Sequence, residues 1–377
     1  MQTTYEIAPD VNPDNISADA QIFPGCRLSG ADLAIGPGCS IGAEGPATVV
    51  NCQLGKNVQL SGGYFEKATF LDGFSAGNGA HVRPGCLFEE GSSIAHTVGV
   101  KQTVFLPWVT SGSLVNFCDA LMAGGTGRKN HSEIGSSYIH FNFTPRQDKA
   151  TPSLIGDVPQ GVLLCNDPIF LGGQGGLVGP RRIAFGTIIP AGQVWREDVL
   201  DPNRLVGHAA RLERTNKPYD VRQFPDMTTV IQNNLTYIGN LLALDTWYRG
   251  VRRFFMQDDR FQQACYQGAL QRLAEMFKER ITRLDDLATK IAESTNPEQN
   301  SEFLEQWPTL LKGIQEVIAT REAVLIPSEV ACIVDALPKD NYLKTIQSLN
   351  DVDREIFALW LRWRVDTVMR FKRESCC

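Results

Sequence analysis

The amino-acid sequence predicts a mainly β N-terminal half, a left-handed parallel β-helix of hexapeptide repeats, followed by an all-α helical C-terminal domain. In the first half an apolar residue recurs every six positions and glycine is dense, whereas beyond about residue 205 glycine becomes scarce and the apolar spacing becomes helical. We therefore expect an N-terminal extension over 1–15, the β-helix over 16–205, a linker over 206–226 and the helical domain over 227–377.

The six-residue period is clearest in one uninterrupted series, which comprises Ala76, Val82, Phe88, Ile94 and Val100. In a β-helix each hexapeptide forms a short strand and a turn, and three hexapeptides complete one triangular coil. The recurring residue points inward and stacks on its counterpart in the next coil, at the strand spacing of about 4.8 Å. Several coils must stack, because one coil cannot bury its own apolar face. A β-sandwich or barrel would instead alternate every second residue, with turns about every 8–12 residues.

The second half has the spacing of amphipathic helices. Apolar residues seven apart form one stripe, which comprises Leu270, Phe277, Leu284 and Ile291. A further helix is expected over about 227–256, and a last helix begins near Asn350, a residue that caps helices well. Pro308, Pro327 and Pro338 are expected to divide the segment between them.

Composition excludes several classes of partner. A chain of 377 residues with a formal net charge of −6 has room for two or three domains and no bulk attraction to nucleic acid or to an anionic membrane. No apolar run approaches the roughly 20 residues of a membrane span. The first residues lack the basic and apolar regions of a signal peptide, so the expected compartment is the cytoplasm.

The ten cysteines do not indicate a metal site, because none forms a CxxC pair or stands at zinc-ligand spacing to a histidine pair. In a reducing compartment we expect the six cysteines before residue 200 to be small buried hydrophobic residues. Cys376 and Cys377, at the end of the sequence, are expected to be exposed.

Arg83 and Lys101 are 18 residues apart, which is one full coil of a hexapeptide β-helix. Each follows an inward residue, Val82 or Val100, so both side chains should point outward on adjacent rungs of one face. Two unpaired cations that close repel each other, and an anion such as a diphosphate would bridge them. The alternative is a pair of solvated charges with no ligand.

Two segments break the hexapeptide rhythm and are expected to form loops. One is the polar run 138–149, and the other is the glycine-rich stretch 122–131. His140 and His131 lie in these loops, and either is a candidate general base because imidazole titrates near neutrality. The alternative for each histidine is a structural, hydrogen-bonding role.

Several motifs resemble one family. They are the Arg83-Pro84-Gly85 turn, Glu133-Ile134-Gly135, Asn142-Phe143, Ile155-Gly156-Asp157 and Leu177-Val178-Gly179-Pro180. Together they make roughly residues 20–200 similar to the acetyltransferase half of the bifunctional bacterial enzyme N-acetylglucosamine-1-phosphate uridyltransferase/glucosamine-1-phosphate acetyltransferase. This resemblance implies a homotrimer with sites between neighbouring β-helices.

The resemblance also implies roles for individual residues. A sugar phosphate or a sugar nucleotide related to UDP-N-acetylglucosamine would be bound by Arg83, Lys101, Asn142 and Phe143. Acetyl-CoA, as co-substrate, would lie near Asn142, Lys149 and Gly173. The family's catalytic histidine would fall near Asn116-Phe117, where this chain has none. His131 or His140 would then have to deprotonate the sugar amine.

Three functions remain open from the sequence. The first is an acyltransferase that acts on a sugar phosphate or sugar nucleotide with CoA as donor. The second is a non-catalytic binding or regulatory protein that keeps the anion site and contacts partners through its helices. The third is a structural scaffold, against which the Arg83–Lys101 pair and Asn142 argue.

Overall fold

The computed structural model describes residues 4–207, 216, 218–323 and 325–374. Its N-terminal part is a parallel β-helix of about 11 turns, and helices follow, so the predicted fold class is confirmed. The β-helix has three faces, and the strands of each face pair in parallel with their counterparts one coil away. Cys376 and Cys377, and residues 208–215 and 217 of the predicted linker, lie outside the described residues.

We number the strands in chain order and assign them to the three faces as follows. Face 1 contains β1 (Glu6–Ile7), β3 (Arg27–Ser29), β6 (Ala47–Val50), β9 (Gly63–Glu66), β12 (Ala80–Val82), β15 (Gly99–Phe105), β17 (Asn116–Met122), β21 (Ile139–Phe141), β24 (Gly176–Val178) and β27 (Val194–Trp195). Face 2 contains the second halves of β15 and β17 together with β4 (Ala34–Ile35), β7 (Gln53–Leu54), β10 (Ala68–Phe70), β13 (Cys86–Phe88), β22 (Ser153–Ile155) and β25 (Arg182–Ile183). Face 3 contains β2 (Gln21–Ile22), β5 (Ser40–Ile41), β8 (Gln59–Leu60), β11 (Ser75–Ala76), β14 (Ser93–Ile94), β16 (Thr110–Ser111), β20 (Glu133–Ile134), β23 (Phe170–Leu171) and β26 (Ile188–Ile189).

The predicted inward series fills the interior of the coil. Ala76, Val82, Phe88, Ile94 and Val100 are all buried. On face 2 the inward column is aromatic: the rings of Phe70 and Phe88 stack with centroids 5.4 Å apart, and Phe105 meets Phe88 edge-on at 5.3 Å. Such columns supply the dispersion contacts that hold consecutive coils together.

The second excursion from the coil, 122–131, is confirmed in part. β17 continues to Met122, and an antiparallel hairpin follows, made of β18 (Gly125–Gly127) and β19 (Asn130–His131). This hairpin projects from the edge between faces 2 and 3. The expectation of a loop over 138–149 is wrong for its first residues, because Ile139–Phe141 forms β21 and pairs in register with β17 and β24. The loop begins only at Asn142.

The helices are α1 (Val158–Gly161), α2 (Thr228–Gly250), α3 (Arg260–Ala292), α4 (Ser301–Ala319), α5 (Ser328–Ala336), α6 (Tyr342–Gln347) and α7 (Asp351–Glu374). Short 3₁₀ segments lie at Pro13–Asn15, Arg252–Phe255 and Pro297–Asn300. The stripe predicted for α3 is confirmed, since its four residues are buried. Asn350 caps the start of α7 as expected, because its side-chain oxygen accepts a hydrogen bond from the amide of Asp353.

One expectation about the helices is wrong. Pro308 does not divide two segments but lies inside α4. Buried Trp307 and Leu310 anchor the helix on either side, so tertiary packing holds it together where the proline removes a backbone hydrogen bond. In the described ranges, none of the helices is long and apolar enough to cross a membrane.

The helical domain covers face 2 of the β-helix. The outward residues of this face, Leu87, Val104, Leu121 and Leu154, are buried and share one apolar cluster with residues of α2 and α3. Helix α3 approaches face 2 closely, because a Cβ on Gly268 of this helix would lie 2.2 Å from the side-chain oxygen of Gln53 in β7. Among the residues that the structure describes, no helix layer covers faces 1 and 3.

Most of the predicted buried cysteines are confirmed. Cys26, Cys39, Cys52, Cys86 and Cys118 are buried, and burial raises the pKa of the Cys39 and Cys52 thiols to about 12. Cys165 is an exception, because it lies exposed in the irregular segment that follows α1.

Candidate functional site

Arg83 and Lys101 lie on adjacent rungs at the edge between faces 1 and 2, as predicted. Val82 pairs with Val100 in the ladder of β12 and β15, which places the two following residues side by side. The Arg83 side chain is exposed and that of Lys101 is half-buried. The next residues, Pro84 and Gly85, turn the chain onto face 2, and the φ of +81° at Gly85 is one that glycine adopts without strain.

The two cations have no carboxylate partner in the part of the chain that the structure describes. No carboxylate oxygen there lies within the 4.0 Å ion-pair distance of either side-chain nitrogen. Arg83 instead donates to the Sγ of Cys118, 3.1 Å away. Glu66, one rung below Arg83, accepts a hydrogen bond from the Tyr64 hydroxyl at 3.1 Å. The pair is therefore available to an external anion.

An open depression surrounds this pair. It is lined by Tyr64, Glu66, His81, Arg83, Pro84, Lys101, Gln102 and Glu279. Glu279 comes from α3, so the helical domain contributes to the wall, although its carboxylate already accepts from Arg283 at 3.0 Å. The depression thus contains two cations without a carboxylate partner in the described residues, one histidine, and the Glu66 carboxylate, which accepts a hydrogen bond from Tyr64.

His81 is a candidate that the sequence interpretation missed. It lies two residues before Arg83 on the same strand, so period-two alternation places both side chains on the outer face. Its ring packs edge-on against Tyr64, with centroids 5.2 Å apart. Val82 points inward, so the residue before it points outward just as the residue after it does. Applying this alternation to both neighbours of Val82 would have found His81 as well as Arg83.

His140 lies inside the coil. It occupies the inward row between Phe117 and Leu177, is 2% exposed, and its ring centroid is 5.4 Å from that of Phe117. One ring nitrogen lies 2.5 Å from the carbonyl oxygen of Cys118 and the other lies 2.7 Å from the hydroxyl of Ser153. Burial lowers the pKa of His140 to about 4, so the ring is neutral at physiological pH. This geometry favours a structural role.

His131 lies on a different edge of the β-helix from Arg83 and Lys101. It belongs to the hairpin between faces 2 and 3, where one ring nitrogen is 2.9 Å from the carbonyl oxygen of Arg128. Its other ring nitrogen is 3.8 Å from a carboxylate oxygen of Glu133. Within one chain, His131 therefore does not reach the cation pair.

Asn142 and Phe143 follow β21 at the same edge as Lys101. The amide of Asn142 donates to one oxygen of Asp119 at 2.7 Å, and Arg280 of α3 binds the other oxygen at 2.5 Å. Asn142 is thereby part of the contact between the β-helix and the helical domain. Phe143 projects outward and is 62% exposed.

The two further residues expected near a cofactor lie apart from each other. Lys149 is exposed at the end of the loop that begins at Asn142. Gly173 lies at the edge between faces 3 and 1, where its backbone packs tightly on the coil below, since a Cβ on Gly135 would be 2.3 Å from its nitrogen. The structure thus brings Arg83 and Lys101 together, places Asn142 above them, and sets Gly173 on the opposite edge of face 1.

No protein-family model matches the chain. Curated proteins do match it. The Bifunctional protein GlmU of Thermotoga petrophila is 29% identical over 169 residues, which are 45% of this chain and 34% of the relative. Proteins of the same name from Trichlorobacter lovleyi and Caldicellulosiruptor saccharolyticus are each 28% identical, over 54% and 55% of this chain and 42% and 40% of the relative.

The chain therefore spans well under half the length of these curated relatives. The resemblance inferred from the Arg83, Lys101 and Asn142 motifs is confirmed: over about half of its length, the chain is similar to proteins named Bifunctional protein GlmU, in their acetyltransferase half.

Proposed function

We propose that the chain is an acyltransferase-like protein that binds a sugar phosphate or a sugar nucleotide at Arg83 and Lys101. The observation that carries this proposal is the pair itself: two cations on consecutive rungs, directed outward, with no carboxylate within ion-pair distance in the described residues. The similarity to the Bifunctional protein GlmU of three bacteria supports the same ligand class.

The physical argument is electrostatic. Each cation raises the energy of the other, and a phosphate between them removes this repulsion while it accepts charge-assisted hydrogen bonds. A hydrogen bond to a charged group contributes about 1.5–3 kcal/mol. Loss of one cation should therefore weaken phosphate binding by about 10-fold to 150-fold.

In the catalytic form of the proposal, acetyl-CoA is the donor and binds near Asn142, Lys149 and Gly173. The assembly is a homotrimer. Because α2 and α3 cover face 2, the contacts between subunits would have to use faces 1 and 3. The proposed compartment is the cytoplasm, where the free cysteines of the described chain stay reduced.

Binding is tested by titration calorimetry of the full chain with glucosamine 1-phosphate, UDP-N-acetylglucosamine and acetyl-CoA. Arg83→Ala and Lys101→Ala should each weaken the binding of the sugar ligand by the factor derived above. Arg27→Ala is the matched control, because Arg27 is an exposed arginine lower on face 1 whose contact with Glu6 is a 3.7 Å surface pair. If the wild type binds the sugar ligand and all three variants bind it equally well, the proposed site is refuted.

A non-catalytic binding protein is the second candidate, and the enclosed position of His140 favours it. The two candidates differ in one measurement: the mass of the sugar after incubation with acetyl-CoA. Acetylated sugar supports the transferase. Sugar binding without acetylated product, and without acetyl-CoA binding, supports the binding protein.

A further inference from the structure

Gly99 interrupts a row of side chains on the outer surface of face 1. The row contains Tyr64, His81, Gly99 and Asn116 on successive rungs. A Cβ added to Gly99 would have no other atom within 4 Å, and the backbone there is not in the left-handed region. The chain conformation therefore does not require glycine at this position, and the missing side chain leaves a notch between His81 and Asn116.

The notch adjoins the cation pair. Gly99 and Lys101 lie on one rung, and His81 and Arg83 lie on the rung below. The side chains of residues i and i+2 on a strand are about 6.5–7 Å apart. A 2-amino sugar 1-phosphate carries its two functional groups on neighbouring ring carbons. If the phosphate lay between Arg83 and Lys101, the amine would be placed to face His81 across the notch.

On the basis of the proposed function, we infer that this notch receives the amino-sugar end of the ligand. His81 is then the base that accepts the proton of the sugar amine. Within the described residues, neither ring nitrogen of His81 takes part in a hydrogen bond, and the ring is held by its edge-on contact with Tyr64. His81 is the one histidine that lines the depression around Arg83 and Lys101 in the described chain. His140 and His131 are engaged elsewhere.

The acyl transfer balances with His81 in this role. The lone pair of the neutral amine attacks the thioester carbonyl carbon, a C–N bond forms, and the C–S bond breaks. A ring nitrogen of His81 takes the proton that the amine loses. The resulting imidazolium then gives this proton to the departing CoA thiolate, so amine and thioester become amide and thiol with no further reactant.

The test compares His81→Ala with His96→Ala in the full-length chain. His96 is a matched control, because it is an exposed histidine in the turn between faces 3 and 1. Acetylated glucosamine phosphate is measured by mass, since the cysteines of the protein would react with a thiol reagent. We expect kcat to fall about 100-fold to 10,000-fold in His81→Ala, with no change in glucosamine 1-phosphate affinity and with partial rescue by added imidazole. His96→Ala should retain the wild-type rate.

Gly99→Val tests the notch independently of the histidine. Valine suits a strand, and its side chain fills the open space without backbone strain. We expect this variant to lose glucosamine 1-phosphate affinity while it still binds inorganic phosphate at the cation pair.

Each other outcome overturns a defined statement. A wild-type rate in His81→Ala, a parallel loss of affinity and rate, or no response to imidazole would exclude His81 as the base and leave the proposed function intact. A wild type that binds the sugar phosphate but never acetylates it would also overturn the inference. A wild type that binds no sugar ligand would overturn the proposed function itself.

Discussion

Replacing Glu89 should change how the stability of the protein depends on pH. Glu89 lies between the β-helix and α2 and is 1% exposed. One of its carboxylate oxygens accepts a hydrogen bond from the Tyr248 hydroxyl at 2.7 Å, and in the described structure the other has no partner. Burial raises the pKa of Glu89 from 4.5 to about 7, reinforced by Glu90 and opposed by Arg252 and by the Tyr248 hydrogen bond.

The sign follows from the direction of this shift. Because the folded state favours the protonated carboxyl, the stabilisation from Glu89 is complete below pH 4.5 and is lost as the pH rises through about 7. Between about pH 5 and pH 8 this shift corresponds to a loss of roughly 2–3 kcal/mol in the free energy of unfolding. Glu89→Gln cannot ionise, so this part of the pH dependence should be absent in the variant.

Urea unfolding followed by tryptophan fluorescence at about pH 5, 6, 7 and 8 measures the effect in wild type, Glu89→Gln and Glu44→Gln. Glu44 is exposed and serves as the control. The Glu44→Gln profile should run parallel to that of wild type. If the Glu89→Gln profile is also parallel, the carboxyl of Glu89 does not titrate differently in the folded and unfolded chains, and the reasoning is refuted.

Three other outcomes follow from the contacts between the two parts of the chain and from cysteine burial. Asp119→Ala removes the 2.5 Å partner of the buried Arg280 guanidinium and leaves it only the 3.8 Å contact with Glu279. Denaturant titration should therefore show a loss of about 3–5 kcal/mol, and a loss below about 1 kcal/mol would contradict an enclosed ion pair. Gly268→Ala should lower the free energy of unfolding by about 1–3 kcal/mol, because the new methyl group would overlap the side chains that α3 packs against. An unchanged denaturation midpoint would show that α3 does not approach face 2 so closely. Maleimide labelling of the native protein should modify Cys165 and Cys332 first among the described cysteines, and equally fast labelling of the buried cysteines would contradict their placement.

The interior of the β-helix could be predicted from sequence because the six-residue period marks each inward position with an apolar residue. His140 escaped this rule for the same reason. It occupies an inward position, but a polar residue there breaks the apolar six-residue pattern. The hairpin inserted before it also changes the spacing, so the position cannot be found by counting in sixes from the earlier coils. The ring is tolerated inside because Cys118 and Ser153 satisfy both of its nitrogens.

The covering of face 2 by helices was not predicted, although the sequence contains a signal for it. Cys86-Leu87-Phe88 and Val104-Phe105-Leu106 are continuous apolar runs, which indicate strands buried on both sides. What covers the outer side cannot be read from such runs. A neighbouring chain and a later segment of the same chain bury the same leucines equally well.

The candidate site was predictable only in part. The spacing of 18 residues located the Arg83–Lys101 pair, since ladder register follows from counting once the coil is known. The partners of Asn142 depend on how α3 lies against the coil, and this is a tertiary contact that no local pattern encodes.

The segments inserted into the β-helix all leave it at its edges, and this placement affects how the protein can evolve. The hairpin at Gly125–His131, the loop after Asn142 and the segment around α1 all leave from edges, and the ladders on either side of them stay in register. Lengthening an edge segment costs only a slowly growing closure entropy. One extra residue within a strand would instead turn the remaining side chains of that strand to the opposite side of the sheet. Substrate range could therefore be remodelled by insertions at these edges, while the rungs that carry Arg83 and Lys101 stay unchanged.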